Sequence, residues 1–222
     1  MKPVLIFDVN ETLLRVDVLQ LAFVKIFGSP YALKEWFDGV ILSSQTATLI
    51  DDYRDFSILA EQALQMLASA KMVSLTATDK QEILSGMLSL PAHPEVAAAL
   101  RRLHSSGFRL AALTNSAQDA AEAQLKNAGL RDLFERVLSV DAVGKFKPAP
   151  EVYAYAGVEL KVSPGEMLLI ASHPWDVEGA MHAGLRGAFL QRPGKSWVRK
   201  DLTPEFIAPD LAVMTESLLL ID

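Results

Sequence analysis

Five short apolar runs, each closing on small or polar residues, recur along the chain, and this pattern restricts the fold more than any other feature. The runs are PVLIF (3–7), FRLAALTN (108–115), RVLSV (136–140), EMLLIAS (166–172) and LRGAFLQ (185–191). PVLIF is continuously apolar and includes the β-branched Val4 and Ile6, the pattern of a strand covered on both faces in a parallel sheet. Helical stretches separate the later runs. PEVAAALRRLHSSG (94–107) offers Pro94 to a first turn and Gly107 as a stop, and SAQDAAEAQLKNAG (116–129) offers Ser116 as N-cap and Gly129 as terminator. PAPEVYAYAGVEL (148–160) reads as a third helix, and EGAMHAG (178–184) as a fourth that follows Asp176. Strands alternating with helices imply a parallel, Rossmann-like α/β sheet flanked by helices and joined by right-handed crossovers. Such sheets bind ligands beyond the carboxyl ends of their strands.

Residues 16–88 break the rhythm. Apolar residues fall at three- and four-residue spacings in VLQLAFVKIF (18–27) and SILAEQALQMLASA (57–70), so the segment reads as a small helical cap domain inserted after the first strand. The α/β core domain then comprises 1–15 and 89–222. No cysteine is present, which removes disulfides, thiolate zinc sites and cysteine nucleophiles together. The net charge of −6 comes with scattered basic residues, so no cationic stripe awaits a nucleic-acid backbone. No apolar stretch reaches the roughly 18 to 20 residues of a membrane span. A cytoplasmic protein without membrane or nucleic-acid partners is the expectation.

On a parallel sheet, the polar residues after the runs converge on one edge. These are Asp8, the Thr114-Asn115 pair, and the segment Ser172-His173-Pro174-Trp175-Asp176, with Lys147 at the start of a helix. Together they have a direct chemical reading: Asp8 is a nucleophile, Lys147 keeps it ionised and oriented, and Asp176 accepts a proton from water in a later step. Each residue alone has a plainer reading. An Asp after a strand commonly caps or turns, Lys147 before a proline suits a solvated surface, and Thr114 and Asn115 would simply end a strand. His173 would be a structural imidazole and Trp175 core filling. His93, His104 and His182 read as loop or surface residues, with no metal-binding spacing.

The order and spacing of these residues resemble the haloacid dehalogenase superfamily, over essentially the whole chain. FDVNETLL matches its nucleophile loop, LAALTNS its second motif, GKFKPAPEVY its third and LLIASHPWDVEGA its fourth. The tyrosine six residues after the lysine in KPAPEVY, and the Trp175-Asp176 pair, are most similar to the L-2-haloacid dehalogenase branch. The resemblance implies that Asp8 displaces the leaving group of a small 2-substituted carboxylate, inverting the carbon and forming an ester, which water then hydrolyses at the Asp8 carbonyl with Asp176 as base. It implies a leaving-group pocket at Asn115 and Trp175, and Tyr153 near the nucleophile. The hydroxyls of Thr12 and Thr114, with backbone amides after Thr114, could hold the substrate carboxylate. Asn10, Ser172 and His173 complete the candidate substrate-binding set.

Metal-dependent phosphatases of the superfamily carry a second aspartate two residues after the nucleophile and commonly an acid four residues before the final Asp. Here those positions are Asn10 and Ser172. A phosphoryl group facing two carboxylates normally needs a divalent cation, whereas halide leaves as a stable anion with no proton. Displacement at carbon with no metal or cofactor is therefore expected. A magnesium-dependent phosphatase on a small phosphomonoester is the alternative, and a catalytically idle scaffold binding an anion or partner is a second one. Two departures stand out. The dehalogenases draw off halide with a cap arginine, but no arginine lies between Arg15 and Arg54, and Phe37 falls about where it belongs; either Arg15, Lys34 or Arg54 substitutes from another position, or the natural substrate is not a simple haloacid. Ala171 and His173 stand where family members often have a serine and an asparagine that position the water. The apolar helices of the cap could also pair two subunits into a homodimer.

Overall fold

The computed structural model describes residues 2–221. Strands β1 (Val4–Phe7), β2 (Leu110–Thr114), β3 (Arg136–Ser139), β4 (Met167–Ala171), β5 (Arg186–Leu190) and β6 (Phe206–Ala208) form one sheet in the order β3-β2-β1-β4-β5-β6. Every pairing is parallel. β1, β2 and β4 are buried along their whole length, as their continuous apolar runs require. The chain winds from β1 outward to β3 and then returns to the other side of β1, so strand order reverses beside β1, where crevices open at the carboxyl edge. Phe7 pairs with both Ala112 and Ile170, so the residues just past the three central strands stand level with one another.

Helices α1 (Gln20–Phe27), α2 (Ala32–Leu49), α3 (Phe56–Ala70) and α4 (Ala77–Gly86) lie between β1 and β2, and they confirm the helical insertion. Their core is aromatic: Phe23 packs on Phe27 and Trp36, and the Trp36 indole N–H donates to the Ala60 carbonyl at 2.9 Å, locking α2 to α3. Two polar contacts tie the insertion to the loop after β3. The Phe146 amide donates to Thr48 Oγ1 at 2.9 Å, and the Tyr53 hydroxyl donates to Asp141. Tyr53 and Phe56 also pack on the buried Phe146. α2 is thereby held over the end of the sheet.

The remaining helices are α5 (Val96–Ser105), α6 (Gln118–Asn127), α7 (Pro150–Leu160), α8 (Pro174–His182) and α9 (Leu211–Leu218). Gly107 and Gly129 adopt left-handed φ of 83° and 67° and end α5 and α6 as expected. Several boundaries differ from the sequence reading. Pro94 precedes α5 rather than opening it. Ser116 does not cap α6: Ala117 holds that place, and the Ser116 hydroxyl accepts from Asn10 Nδ2 at 3.1 Å instead. Lys147 lies in the loop before α7, not in the helix. α8 starts at Pro174, so Asp176 sits inside its first turn rather than before it. The sequence reading does not include β6 and α9: FIA is too short a run to stand out, and the one local mark of α9 is Asp210, whose carboxylate caps it by accepting from the Val213 amide at 2.8 Å. Among the described residues, no single helix is long and apolar enough to cross a membrane.

Candidate active site

Asp8 is the first residue past β1, and its own backbone N–H still donates to Ile170 O at 3.1 Å, which holds it to β4. The residue is 5% exposed. Lys147, entirely buried, reaches it from the loop after β3. The three ammonium donors all find acceptors: Asp8 Oδ1 at 2.9 Å, Asp176 Oδ2 at 2.6 Å and the Leu113 carbonyl, at the end of β2, at 3.0 Å. The loop is fixed by the Lys147 amide, which donates to Asn115 Oδ1 at 3.0 Å. One cation thus serves two carboxylates delivered by β1 and by the helix after β4. Sequence reasoning brought these three residues to one edge, and the structure brings them into contact.

The two carboxylates are driven apart in acidity. Burial disfavours the charged form of Asp8, but the Lys147 charge and hydrogen bonds from His173 and Thr12 outweigh it and hold the carboxyl well below its ordinary range. For Asp176, burial prevails: Lys147 works against it, the Asp8 charge adds to it, and the pKa rises above the ordinary carboxylate value. Lys147 is raised, since its two carboxylate partners outweigh burial. The group next to the sheet is therefore the stable anion, and the group on the helix is the better proton acceptor.

Several residues placed among substrate contacts by the sequence are engaged in hydrogen bonds with these carboxylates or with their neighbours. The Thr12 hydroxyl donates to Asp8 Oδ2 at 2.6 Å and accepts from the Ser172 amide at 2.9 Å, so it is not free to bind a substrate carboxylate. Ser172, wholly buried, lies 3.2 Å from the same hydroxyl. Tyr153, also wholly buried, donates to Asp176 Oδ1 at 2.8 Å; burial and the Asp176 charge, with a further contribution from Asp8, push its pKa well up, so it remains a donor. Thr114 Oγ1 accepts from the Ser116 amide at 3.1 Å. Asn10 turns aside to Ser116 and to Gln124, whose Nε2 donates to Asn10 Oδ1 at 3.2 Å.

A cleft of about 350 Å³ opens between α2 and the start of α8, lined by Phe37, Ile41 and Gln45 on one side and His173, Trp175, Glu11 and Lys195 on the other. The His173 ring lies 5.1 Å from Trp175 and 6.2 Å from Phe37, stacked with both. Phe37, counted as the counterpart of the cap arginine, is indeed at the cleft. None of its suggested substitutes is among the residues that line the cleft: Arg15 pairs with Asp17, Arg54 with Asp52, and Lys34 with Asp38, itself a cleft residue, all at exposed positions. The cation that does line the cleft is Lys195, which sequence reasoning missed, as it missed Glu11. Glu11 accepts from Lys195 Nζ at 2.7 Å and from His173 Nε2 at 2.8 Å, and its pKa falls to about 2 because these partners outweigh burial. The signals for both are slight: Glu11 lies inside the nucleophile loop, and Lys195 in the turn sequence RPGK after β5.

Among the described residues, no group of three or more His, Asp or Glu side chains is arranged to hold a metal ion. A family model described as a haloacid dehalogenase-like hydrolase matches residues 3–184. The (S)-2-haloacid dehalogenase 1 of Pseudomonas sp. (strain CBS-3) is 31% identical over 193 residues, covering 86% of this chain and 85% of that protein. The (S)-2-haloacid dehalogenase 4A of Burkholderia cepacia is 30% identical over 191 residues, covering 85% and 83%. Among solved structures, the L-2-haloacid dehalogenase from Xanthobacter autotrophicus with chloropropionic acid covalently bound superposes with a TM-score of 0.91 at 25% identity, over 100% of both chains. The match extends from the nucleophile loop through the helix that carries Asp176, and on that ground the chain belongs to the haloacid dehalogenase-like hydrolases, within their (S)-2-haloacid dehalogenase branch.

Proposed function

We propose that the protein hydrolyses a small (S)-2-halo- or otherwise 2-substituted carboxylic acid through an ester on Asp8. The observation that carries this reading is the Lys147 ammonium between Asp8 and Asp176, at 2.9 and 2.6 Å. It places a fixed positive charge between the two carboxylates, so the anionic nucleophile can approach an anionic substrate. In the first step an Asp8 oxygen attacks the carbon bearing the leaving group, which departs as an anion with the bonding pair. In the second, water adds to the Asp8 carbonyl carbon while Asp176, the more basic carboxylate, takes its proton. Tyr153 and Lys147 hold Asp176 by its two oxygens for that task. Because Asn115 Oδ1 is spent on the Lys147 amide, its NH₂ group is the end left to face the leaving group, while Trp175 lines the cleft. Residues 16–88 serve as the cap over a core of 1–15 and 89–222, their α2 forming the roof of the cleft. The covalent chloropropionate in the Xanthobacter relative supports the ester.

The test is intact-mass spectrometry after rapid quench of the protein mixed with (S)-2-chloropropionate. A propionate adduct on a peptide containing Asp8, absent from Asp8→Asn, is the expected result. Turnover of the substrate with no adduct at any quench time, or an adduct elsewhere, would refute the reading.

A further inference from the structure

His173 occupies a position that the chemistry above leaves without a task. Its Nδ1 lies 3.3 Å from Asp8 Oδ2 and its Nε2 lies 2.8 Å from Glu11 Oε2, so both ring nitrogens face carboxylate oxygens. Carboxylates only accept. A neutral imidazole would set one lone pair against another, whereas the imidazolium donates at both ends. Glu11 is built to enforce this state. It adopts φ of 62°, a conformation that side chains rarely take, and in doing so it aims its carboxylate at His173 while Lys195 binds the same oxygen. Every charged neighbour is accounted for: Asp8 and Glu11 touch the ring, Lys195 acts through Glu11, Asp38 of α2 lines the same cleft, and Lys147 and Asp176 lie beyond Asp8.

The two oxygens of Asp8 are served differently. Oδ2 accepts from Thr12 at 2.6 Å and faces His173, while Oδ1 accepts from Lys147, whose other donors are spent on Asp176 and Leu113. The less encumbered Oδ1 is the better attacking atom, which leaves Oδ2 as the carbonyl oxygen of the ester. We propose that His173 is a catalytic residue of the second half-reaction, an oxyanion acid that receives the negative charge formed on Asp8 Oδ2 when water adds to the ester. This rests on the ester reading above. The water oxygen bonds to Cγ, its proton passes to Asp176, and the carbonyl π pair moves onto Oδ2 between His173 and Thr12. The pair then returns, the Cγ–Oδ1 bond breaks, the departing alkoxide takes the proton from Asp176, and the carboxylic proton left on Asp8 goes to solvent. Glu11 and Lys195 are positioning residues.

The role is asymmetric between the two steps. Pairing with the free Asp8 carboxylate restrains its attack, while pairing with the oxyanion promotes hydrolysis, since the neutral ester between them offers less charge to stabilise. The rapid-quench experiment with (S)-2-chloropropionate separates them. In His173→Phe, which keeps the ring stacked between Phe37 and Trp175, the Asp8 adduct should form as fast as in the wild type or faster, decay about 100-fold more slowly, and accumulate. In Glu11→Gln the imidazolium loses one anionic partner, so the alkaline fall in the adduct's decay rate should begin at lower pH than in the wild type. Decay unchanged in His173→Phe, formation and decay slowed equally, or a Glu11→Gln profile that coincides with the wild type's would overturn the proposal. If His173→Phe fails to fold, the Glu11→Gln profile decides. No adduct in the wild type would sink the ester reading and this role together, whereas a normal adduct with normal decay in His173→Phe sinks this role alone.

Discussion

Replacing Lys147 with methionine removes one charge and three hydrogen bonds while keeping most of the side chain's length. The residue is 1% exposed, Asp176 is 0% exposed and Asp8 is 5% exposed, so water cannot take over the lost interactions. Asp176 is then left without a counter-charge, and Asp8 keeps only His173 and the Thr12 hydroxyl. Deleting one partner of a buried ion pair typically costs about 3 to 5 kcal/mol, and in a protein of this size each kcal/mol moves the melting temperature by about 2 to 4 °C. A fall of about 6 to 20 °C at pH 7.5 is expected. The pH dependence has a definite sign. Because Asp8 is depressed below its ordinary 3.8 in the folded protein, it contributes stability that is present above that value and is lost only as pH falls through the lower folded one. Without Lys147 the largest cause of the Asp8 depression is gone and Asp176 rises further, so the folded variant takes up protons at higher pH than the wild type does. The deficit of Lys147→Met should therefore shrink as pH falls from 7.5 toward 4.5. Thermal or urea unfolding of both proteins at several pH values measures it. A variant as stable as the wild type at pH 7.5, or a deficit that does not narrow on acidification, would refute the idea that this amine neutralises two ionised groups.

Other outcomes follow from the same geometry. Tyr153→Phe removes a donor to Asp176 Oδ1, so the Asp176 pKa should rise further and the acid limb of the rate profile should move to higher pH, with a stability loss of about 1 to 3 kcal/mol for the unsatisfied oxygen; an unmoved limb would separate Tyr153 from the base. Gly179→Ala would bring a methyl group to 2.4 Å from Pro148 Cβ and 2.8 Å from the Tyr153 hydroxyl, so it should cost about 1 to 3 kcal/mol and lower activity by shifting the supports of Lys147 and Asp176 together, as unfolding and halide-release assays would show. Trp36→Ala removes the fully buried indole that joins α2 to α3, with an expected loss of about 3 to 5 kcal/mol measured by urea unfolding. Glu11→Gln should reduce stability fully above pH 4.5, the ordinary value of its carboxyl, and the difference should fade as pH falls toward about 2, where the wild-type carboxyl also protonates; acid-unfolding curves that stay parallel would count against the ion pairs of Glu11.

The parallel sheet was legible because burial on both faces leaves an unbroken apolar run, and runs such as LAALT and MLLIA, closed by small or polar residues, are too short to be buried helices. Helix ends were less legible. Ser116 has a capping side chain, yet Asn10, 106 residues earlier, claims its hydroxyl, and a distant partner of that kind leaves no local mark. The same limit applies to the supports of the site. Nothing in the spacing of Tyr153 says that its hydroxyl meets Asp176 and not Asp8, since that depends on how α7 and α8 pack.

By itself the sequence determined a parallel α/β sheet with helices inserted after its first strand, and it put Asp8, Lys147 and Asp176 at one edge, because strand ends in such a sheet must share a side. Only the tertiary structure decided which oxygen each donor takes, which side chains hydrogen-bond the two carboxylates, and how Glu11, 162 residues from His173 and 184 from Lys195, joins them beside the nucleophile. The physical reason is range. Backbone periodicity and burial are written within a few residues of one another, whereas hydrogen bonds between side chains form at about 3 Å and depend on strand register and helix packing summed over the whole chain.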